Sequence, residues 1–317
     1  MMGQESQLAN SVLMVRPERF QSNPLTIDSN RFQASPDVSP GQQQQLALAE
    51  FDGLVEQLRA HSIQVVVVDD TAEPHTPDAI FPNNWISFHA DGRVVLYPME
   101  AENRRDERRL DVIERLDQDC GFHVSEVVDL SHHELNGHYL EGTGSLVLDR
   151  INRIAYACLS SRTHLDPLGD FAQRMNYEVV AFDAVDREGV PIYHTNVMMN
   201  VGEAVAVVCD AAIAREEQRN AVLESLRGTG HEVLSLDFDQ LYAFAGNMLE
   251  LRDPSGGRLL AMSEQAYNSL QVAQLDVLRS NGGIIRSPID NIETLAGGSV
   301  RCMLAEIHLP KQADNNN

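Results

Sequence analysis

Residues 141–182 read EGTGSLVLDRINRIAYACLSSRTHLDPLGDFAQRMNYEVVAF, and the order of elements in this stretch decides the fold. Gly144 to Leu148 alternates toward a β-strand, Asp149 to Asn152 is a polar turn, and Arg153 to Leu159 returns as a second strand. Asp166 to Asn176 reads as a helix, and Glu178 to Phe182 as a short apolar strand. Hairpin, helix, strand is the unit, and it recurs three more times. Trp85 to His89 turns at Ala90-Asp91-Gly92 into Arg93 to Tyr97, followed by a charged helix near Glu102 to Asp119 and a strand at His123 to Leu130. Thr195 to Asn200 turns at Val201-Gly202-Glu203 into Ala204 to Cys209, with a helix over Ala212 to Arg227 and a strand at Glu232 to Leu236. Met248 to Arg252 turns at residues 253–257 into Arg258 to Met262, with Glu264 to Arg279 helical and Ile284 to Pro288 extended. Gly and Asp sit in these turns, where a hairpin needs unusual backbone angles.

The fifth unit is split between the chain ends. Cys302 to Leu309 is a lone strand, and Val12 to Arg16 is another, followed by a helix at Gln42 to Arg59 and a strand at Gln64 to Val68. Pairing the two terminal strands completes the unit and closes a ring, which removes the exposed edges of an open array. Each unit opens with a polar residue: Asn84, Glu141, His194, Asn247 and Cys302, at successive gaps of 57, 53, 53 and 55 residues. Self-similarity at a fixed period marks a repeat architecture. The expectation is an α/β ring of five units, a single domain over 1–317 with an ordered core from about 12 to 310. Its hub would carry one site.

Composition bounds what that site does. Asp and Glu number 47 against 24 Lys and Arg, a net charge of −23. Such a field repels phosphate backbones and anionic lipid, so nucleic acid and membrane are poor partners. The single lysine is Lys311, in the polar tail, which excludes Schiff-base, pyridoxal-phosphate and P-loop lysines unless that tail folds inward. No stretch is long and apolar enough for a membrane span, and Met1 to Asn10 has no signal-peptide core. The four cysteines, at 120, 158, 209 and 302, show no paired-ligand spacing, and Cys158 and Cys209 lie on strands that read as buried. A cytoplasmic protein with reduced thiols is expected.

A thiol, an imidazole and a carboxylate at equivalent points of the unit suggest covalent catalysis. Cys302 follows the flexible turn Gly297-Gly298-Ser299 and would act as thiolate nucleophile. His194 can serve as general acid and base, and Glu141 can orient and charge that imidazole. Taken alone, each of the three is more simply a buried or locally bonded side chain. Their shared placement in the repeat favours the site.

Here the sequence resembles a known family. Leu140-Glu141-Gly142, His194-Thr195-Asn196 and Gly297-Gly298-Ser299-Val300-Arg301-Cys302 look like the active-site motifs of the guanidine-modifying superfamily, the pentein fold, which includes arginine deiminases, dimethylarginine hydrolases and amidinotransferases. Residues 75–85 (HTPDAIFPNNW), 155–160 (AYACLS) and 301–306 (RCMLAE) resemble the citrulline-utilisation hydrolase group more closely, and the likeness runs from about Val12 to Pro310. The resemblance implies a five-bladed α/β propeller around a central active-site channel, with Cys302, His194 and Glu141 as nucleophile, acid–base and orienting residue. It implies no metal or organic cofactor. Ser160-Ser161-Arg162-Thr163 is similar to a deiminase segment that binds the substrate α-carboxylate, which makes Arg162 the candidate for that role.

Two departures bear on the substrate. Guanidine enzymes of this kind hold the guanidinium with aspartates where this chain has Asn84 and Asn196. A guanidinium carries full charge and only donors, so carboxylates suit it. Asparagine offers donor and acceptor together, which suits the neutral ureido group of citrulline. Asp78 could still supply a carboxylate, Asn83 could face the channel instead of Asn84, and Asn247 is a further candidate contact. The leading expectation is hydrolysis of citrulline to ornithine, ammonia and carbon dioxide through an S-carbamoyl cysteine. The alternatives are a guanidine hydrolase, deiminase or amidinotransferase acting on arginine or a modified arginine, and a non-catalytic amino-acid-binding protein. Oligomeric state stays open, a homo-oligomer included.

Other motifs point nowhere. His132-His133-Glu134 with His138 lacks the four-residue histidine spacing of a helical zinc motif and reads as a polar loop. Gly142-Thr143-Gly144 lacks the third glycine of a dinucleotide site. Asn315 to Asn317 reads as a disordered end.

Overall fold

The computed structural model describes residues 5–27, 30–34 and 39–312; the asparagine end lies outside these. Five three-stranded sheets share one topology. In each, the middle strand pairs antiparallel with one neighbour and parallel with the strand that follows it in sequence. Ile86–Phe88, Arg93–Leu96 and Glu126–Asp129 make one sheet, and Val147–Asp149, Ile154–Cys158 and Glu178–Phe182 the next. Met199–Val201, Val205–Val208 and Glu232–Ser235 follow, then Leu249–Arg252, Arg258–Ser263 and Gly283–Ser287. The fifth sheet joins the chain ends: Val12 pairs with Glu306 and Leu13 with Ala305, while Ser11–Arg16 runs parallel to Gln64–Asp69.

A parallel pair needs a crossover, and a helix supplies it each time. These are Pro40–Ala60, Leu110–Gln118, Leu165–Met175, Glu216–Gly228 and Val272–Asn281. Sheets bury both faces. On Ser11–Arg16, Val12 and Met14 pack with Leu249, Leu251 and Ile285 of one neighbouring sheet, while Leu13 packs with Phe88 and Val94 of another. Covering on both sides explains why these strands read as near-continuous apolar runs.

Several boundaries differ from the sequence reading, each for a physical reason. Gly142–Ser145 and Thr195–Met198 are single helical turns, not strand starts. The Ser145 hydroxyl accepts the Glu141 N–H at 2.9 Å, and the Thr195 hydroxyl donates to the Ser145 carbonyl at 2.6 Å, so side chains take the bonds a ladder would use. Cys302 does not open a strand: Val300–Met303 is a 3₁₀ turn, with the Cys302 N–H bonded to the Ser299 carbonyl at 2.9 Å, and the strand shrinks to Ala305–Glu306. The expected helix at Glu102 to Asp119 splits into Glu102–Arg105 and Leu110–Gln118, with Glu107 turned inward between them to pair with Arg104. The helix at Glu264 to Arg279 splits into Glu264–Ser269 and Val272–Asn281, the second opened by a capping box of Gln271 and Gln274. The polar loop at His132 is a 3₁₀ helix, Ser131–Asn136. Among the described residues no helix is long and apolar enough to cross a membrane.

Candidate active site

The polar residues that open the units converge. Gly144 shows how tightly: a Cβ there would lie 2.4 Å from Asn84 Nδ2 and 2.8 Å from His194 Nδ1, so only glycine lets the three units close up. Glu141 and His194 are the residues just before their helical turns, and the turns aim them at one another. His194 Nε2 lies 2.9 Å from Glu141 Oε2. That bond assigns the Nε2 proton toward the carboxylate and leaves Nδ1 for proton transfer.

Glu141 is fully buried, and its charge is surrounded. Burial pushes its carboxyl up, but Arg162 at 3.5 Å, the His194 bond and Arg104 at 3.6 Å together hold it well below the usual carboxylate range. Its Oε1 accepts the Glu100 N–H at 3.1 Å. Burial drives the His194 imidazole the other way, below its ordinary value, against the pull of Glu141. The pair therefore rests as carboxylate and neutral imidazole at pH 7.

Cys302 is 3 % exposed and lines a small cleft. Two amides point their Nδ2 groups at its sulfur: Asn247 at 3.3 Å and Asn196 at 3.4 Å. Asn247 is itself fixed, its Oδ1 accepting the Arg301 N–H at 3.0 Å and its Nδ2 also reaching the Asn196 carbonyl at 3.0 Å. Asn196 and Asn247 hold the thiol from behind and do not line the cleft; Asn84 does. Asn83 is fully buried beside it and stays outside the cleft lining.

Asp78, Asn84, Arg104, Arg162, Tyr193 and His194 form the polar wall above the thiol. Asp78 is 2 % exposed; its Oδ2 accepts Asn23 Nδ2 at 2.7 Å, while its Oδ1 has no hydrogen-bond partner among the described residues. Arg162 is buried: its Nε sits 3.4 Å from Glu100, and its guanidinium lies 5.0 Å from the Tyr193 ring centre. Sequence reasoning missed Arg104. It makes two 2.9 Å bonds to Glu107, donates to Asn84 Oδ1 at 3.0 Å and lies 3.7 Å from Asp78. Burial pushes the Glu107 carboxyl up to about 8, with Arg104 pulling it back. In sequence Arg104 is one of five arginines between residues 104 and 115, and nothing local marks it.

Away from this cleft, donor atoms of His132, His133 and Asp170 lie within 4.8 Å of one another, near enough to hold an ion, although Asp170 already takes a 2.6 Å bond from Arg174. Cys158 is buried at the end of its strand as expected, its thiol pushed up to about 12 by burial.

Known proteins share this fold. Solved structures similar to the chain include the apo form of ArgZ, an arginine dihydrolase from the ornithine-ammonia cycle in cyanobacteria: 18% identity, TM-score 0.72, covering 96% of this chain and 41% of that one. The N-terminal domain of ArgZ bound to substrate is similar at 18% identity and TM-score 0.69, over 94% of this chain and 99% of that one. A dimethylarginine dimethylaminohydrolase adduct with S-methyl-L-thiocitrulline shares 12% identity at TM-score 0.62, over 95% and 100%. The chain thus spans about two fifths of the full-length ArgZ chain and nearly all of its N-terminal domain. No curated protein sequence matches it. The family model of eukaryotic N,N dimethylarginine dimethylhydrolase matches residues 16–309, and the chain belongs to that family, within the pentein-type guanidine-modifying superfamily.

Proposed function

We propose that the protein is a cysteine-dependent C–N hydrolase that cleaves the ureido group of citrulline. The observation that carries this reading is the neutral amide of Asn84, which lines the cleft with Cys302 and whose Nδ2 has no hydrogen-bond partner among the described residues, while the amides of Asn196 and Asn247 bond the sulfur from behind. A guanidinium set against amides alone would be a buried charge without a counter-charge, at a cost of several kcal/mol. A ureido carbonyl and its N–H groups can both find partners there.

In the proposed reaction His194 Nδ1 takes the Cys302 thiol proton as the sulfur attacks the ureido carbon, and the carbon–nitrogen bond to the substrate chain breaks. His194 delivers a proton from Nδ1 to the departing amine, and ornithine leaves an S-carbamoyl enzyme. Water, deprotonated by His194, displaces the thiolate to give carbamate, which decomposes to ammonia and carbon dioxide. Glu141 keeps the imidazole oriented and stabilises its charged form. Arg162, with Arg104 beside it, binds the substrate α-carboxylate, and Asp78 faces its α-ammonium. We also read the five sheets, joined through the terminal strand pair, as one closed ring and a single domain with this cleft at its hub.

The guanidine reading keeps one observation of its own. Asp78 brings a buried, incompletely bonded carboxylate into the cleft, and if it reaches the substrate head group, arginine or a modified arginine becomes the substrate. The test is ornithine and ammonia release from citrulline and from arginine, side by side, with a Cys302→Ala control. Ornithine from citrulline, lost in the control, is the expected result. Activity confined to arginine would overturn the citrulline reading and leave the Cys-His-Glu arrangement standing.

A further inference from the structure

The histidine pair that fits no helical zinc motif finds a third partner from another element. His132 and His133 sit side by side on the 3₁₀ helix Ser131–Asn136, with ring centres 4.3 Å apart. Successive residues of such a helix are set a third of a turn apart. Both rings nevertheless turn Nε2 toward one atom, Asp170 Oδ2 on the helix Leu165–Met175. The distances are 3.1 Å from His133 and 3.6 Å from His132, and all three donor atoms lie within 4.8 Å of one another. Asp170 stands 37 residues beyond His133, so no local spacing could announce the set.

Hydrogen bonding accounts for half of this arrangement. His133 bonds Asp170 at 3.1 Å, but 3.6 Å is too long for His132 to do the same. The two distances instead bracket the edge of a tetrahedron, about 3.3 Å when its centre lies about 2.05 Å from each corner, the length of zinc bonds to imidazole nitrogen and carboxylate oxygen. The carboxylate is already aimed. Arg174 Nε bonds Asp170 Oδ1 at 2.6 Å, which leaves Oδ2 for an ion and fixes the plane of the group. Arg174 is half-exposed and can turn toward solvent as the ion's charge arrives. His132 is also half-exposed, so water can reach the open side and complete the coordination. Two imidazoles and one carboxylate suit zinc, cobalt, nickel or copper, whereas magnesium and calcium prefer all-oxygen sites. A net charge of −23 draws cations to the surface.

We propose that His132, His133 and Asp170 form a site for one divalent transition-metal ion, which clips the 3₁₀ helix Ser131–Asn136 to the helix Leu165–Met175. None of the three lines the substrate cleft, so the ion takes no part in the reaction. Its place in the chain gives it a structural role. The first element leads into the segment that carries Glu141, and the second follows the segment that carries Arg162. Those segments already meet beside the clip: the His164 N–H donates to the Tyr139 carbonyl at 2.8 Å, and the Tyr139 N–H to His164 Nδ1 at 3.0 Å. A bound ion would fasten the same corner.

The test uses the full chain without an affinity tag, carrying Cys302→Ala so that the thiol of the cleft cannot bind the metal. Zinc sulfate is titrated by calorimetry at neutral pH, and thermal midpoints are read with and without it. The expected result is one equivalent of zinc, a midpoint raised by saturating zinc, and affinity at least about tenfold weaker in each of His132→Ala, His133→Ala and Asp170→Asn. His132→Ala trims a half-exposed ring that makes no hydrogen bond to Asp170, so its loss of zinc counts even if releasing Arg174 in Asp170→Asn unfolds that variant. Zinc held equally well by His132→Ala and His133→Ala, or no stoichiometric zinc at all, would overturn the proposal. So would an equal response to magnesium chloride, which would mark only an acidic surface. The outcome does not depend on which substrate the cleft accepts.

Discussion

Asn196→Asp tests the head-group chemistry with a single atom change. It places a carboxylate where an amide now donates to the Cys302 sulfur at 3.4 Å. Two unit negative charges at that separation repel by about 5 kcal/mol at an effective dielectric of roughly 20. Carried wholly by the sulfur, that would cut the thiolate population at fixed pH by between three and four orders of magnitude, taking about 1.4 kcal/mol per factor of ten. The Asn247 amide stays at 3.3 Å, and relaxation absorbs part of the repulsion, so about a hundredfold loss is the expected floor on citrulline. Arginine should suffer less, because its guanidinium brings the cation that cancels the new charge. The assay is initial-rate ornithine release from both substrates, paired with iodoacetamide labelling of Cys302 against pH. Labelling should move to more alkaline pH, and the ratio of arginine to citrulline turnover should rise. Wild-type turnover of citrulline with unmoved labelling would refute the argument, since it would mean that Asn196 does not act on the sulfur.

Two further outcomes follow from the same geometry. Glu141 is held below its ordinary range, so the stability it contributes is present above its unfolded value near 4.5 and is lost as pH falls through the folded one. Urea midpoints should therefore fall on acidification below about pH 4.5, and Glu141→Gln, which removes the carboxylate that Arg162, Arg104 and His194 share but leaves Arg104 its Glu107 and Asp78 and Arg162 its Glu100, should lower stability at pH 7 by up to about 3 kcal/mol and flatten the acid limb. A Gln variant as stable as wild type at pH 7 would count against the buried cluster. Gly144→Ala drives a methyl to 2.4 Å from Asn84 and 2.8 Å from His194, so it should cost about 1–3 kcal/mol in stability and reduce kcat more than it raises KM. Normal kcat in that variant would show that the three units are not closed as tightly as described.

The fold was legible because its signals are local. The turns at Asp91-Gly92, Gly202 and residues 253–257, between apolar runs of strand length, are enough to mark hairpins, and Glu178–Phe182 appears with the expected bounds. What the sequence could not disclose depends on distant partners. Arg104 is inward only because Asp78 and Glu141 receive it from elsewhere in the chain. The most instructive miss is the start of four of the five units. A strand was expected to begin at or beside the polar residue, but a short turn intervenes: Pro82–Asn84 before Ile86–Phe88, Gly142–Ser145 before Val147–Asp149, Thr195–Met198 before Met199–Val201, Val300–Met303 before Ala305–Glu306. A residue on a strand points across its sheet, into the apolar layer between neighbouring sheets. A residue on or beside a turn at the strand's entrance is free to point along the sheet edge, toward the other units. The misread boundary and the site are therefore one feature: the chain leaves the ladder for one turn at four of the five repeats, and that departure lets a carboxylate, an imidazole, a thiol and amides meet inside a protein whose sheets are otherwise packed with apolar side chains.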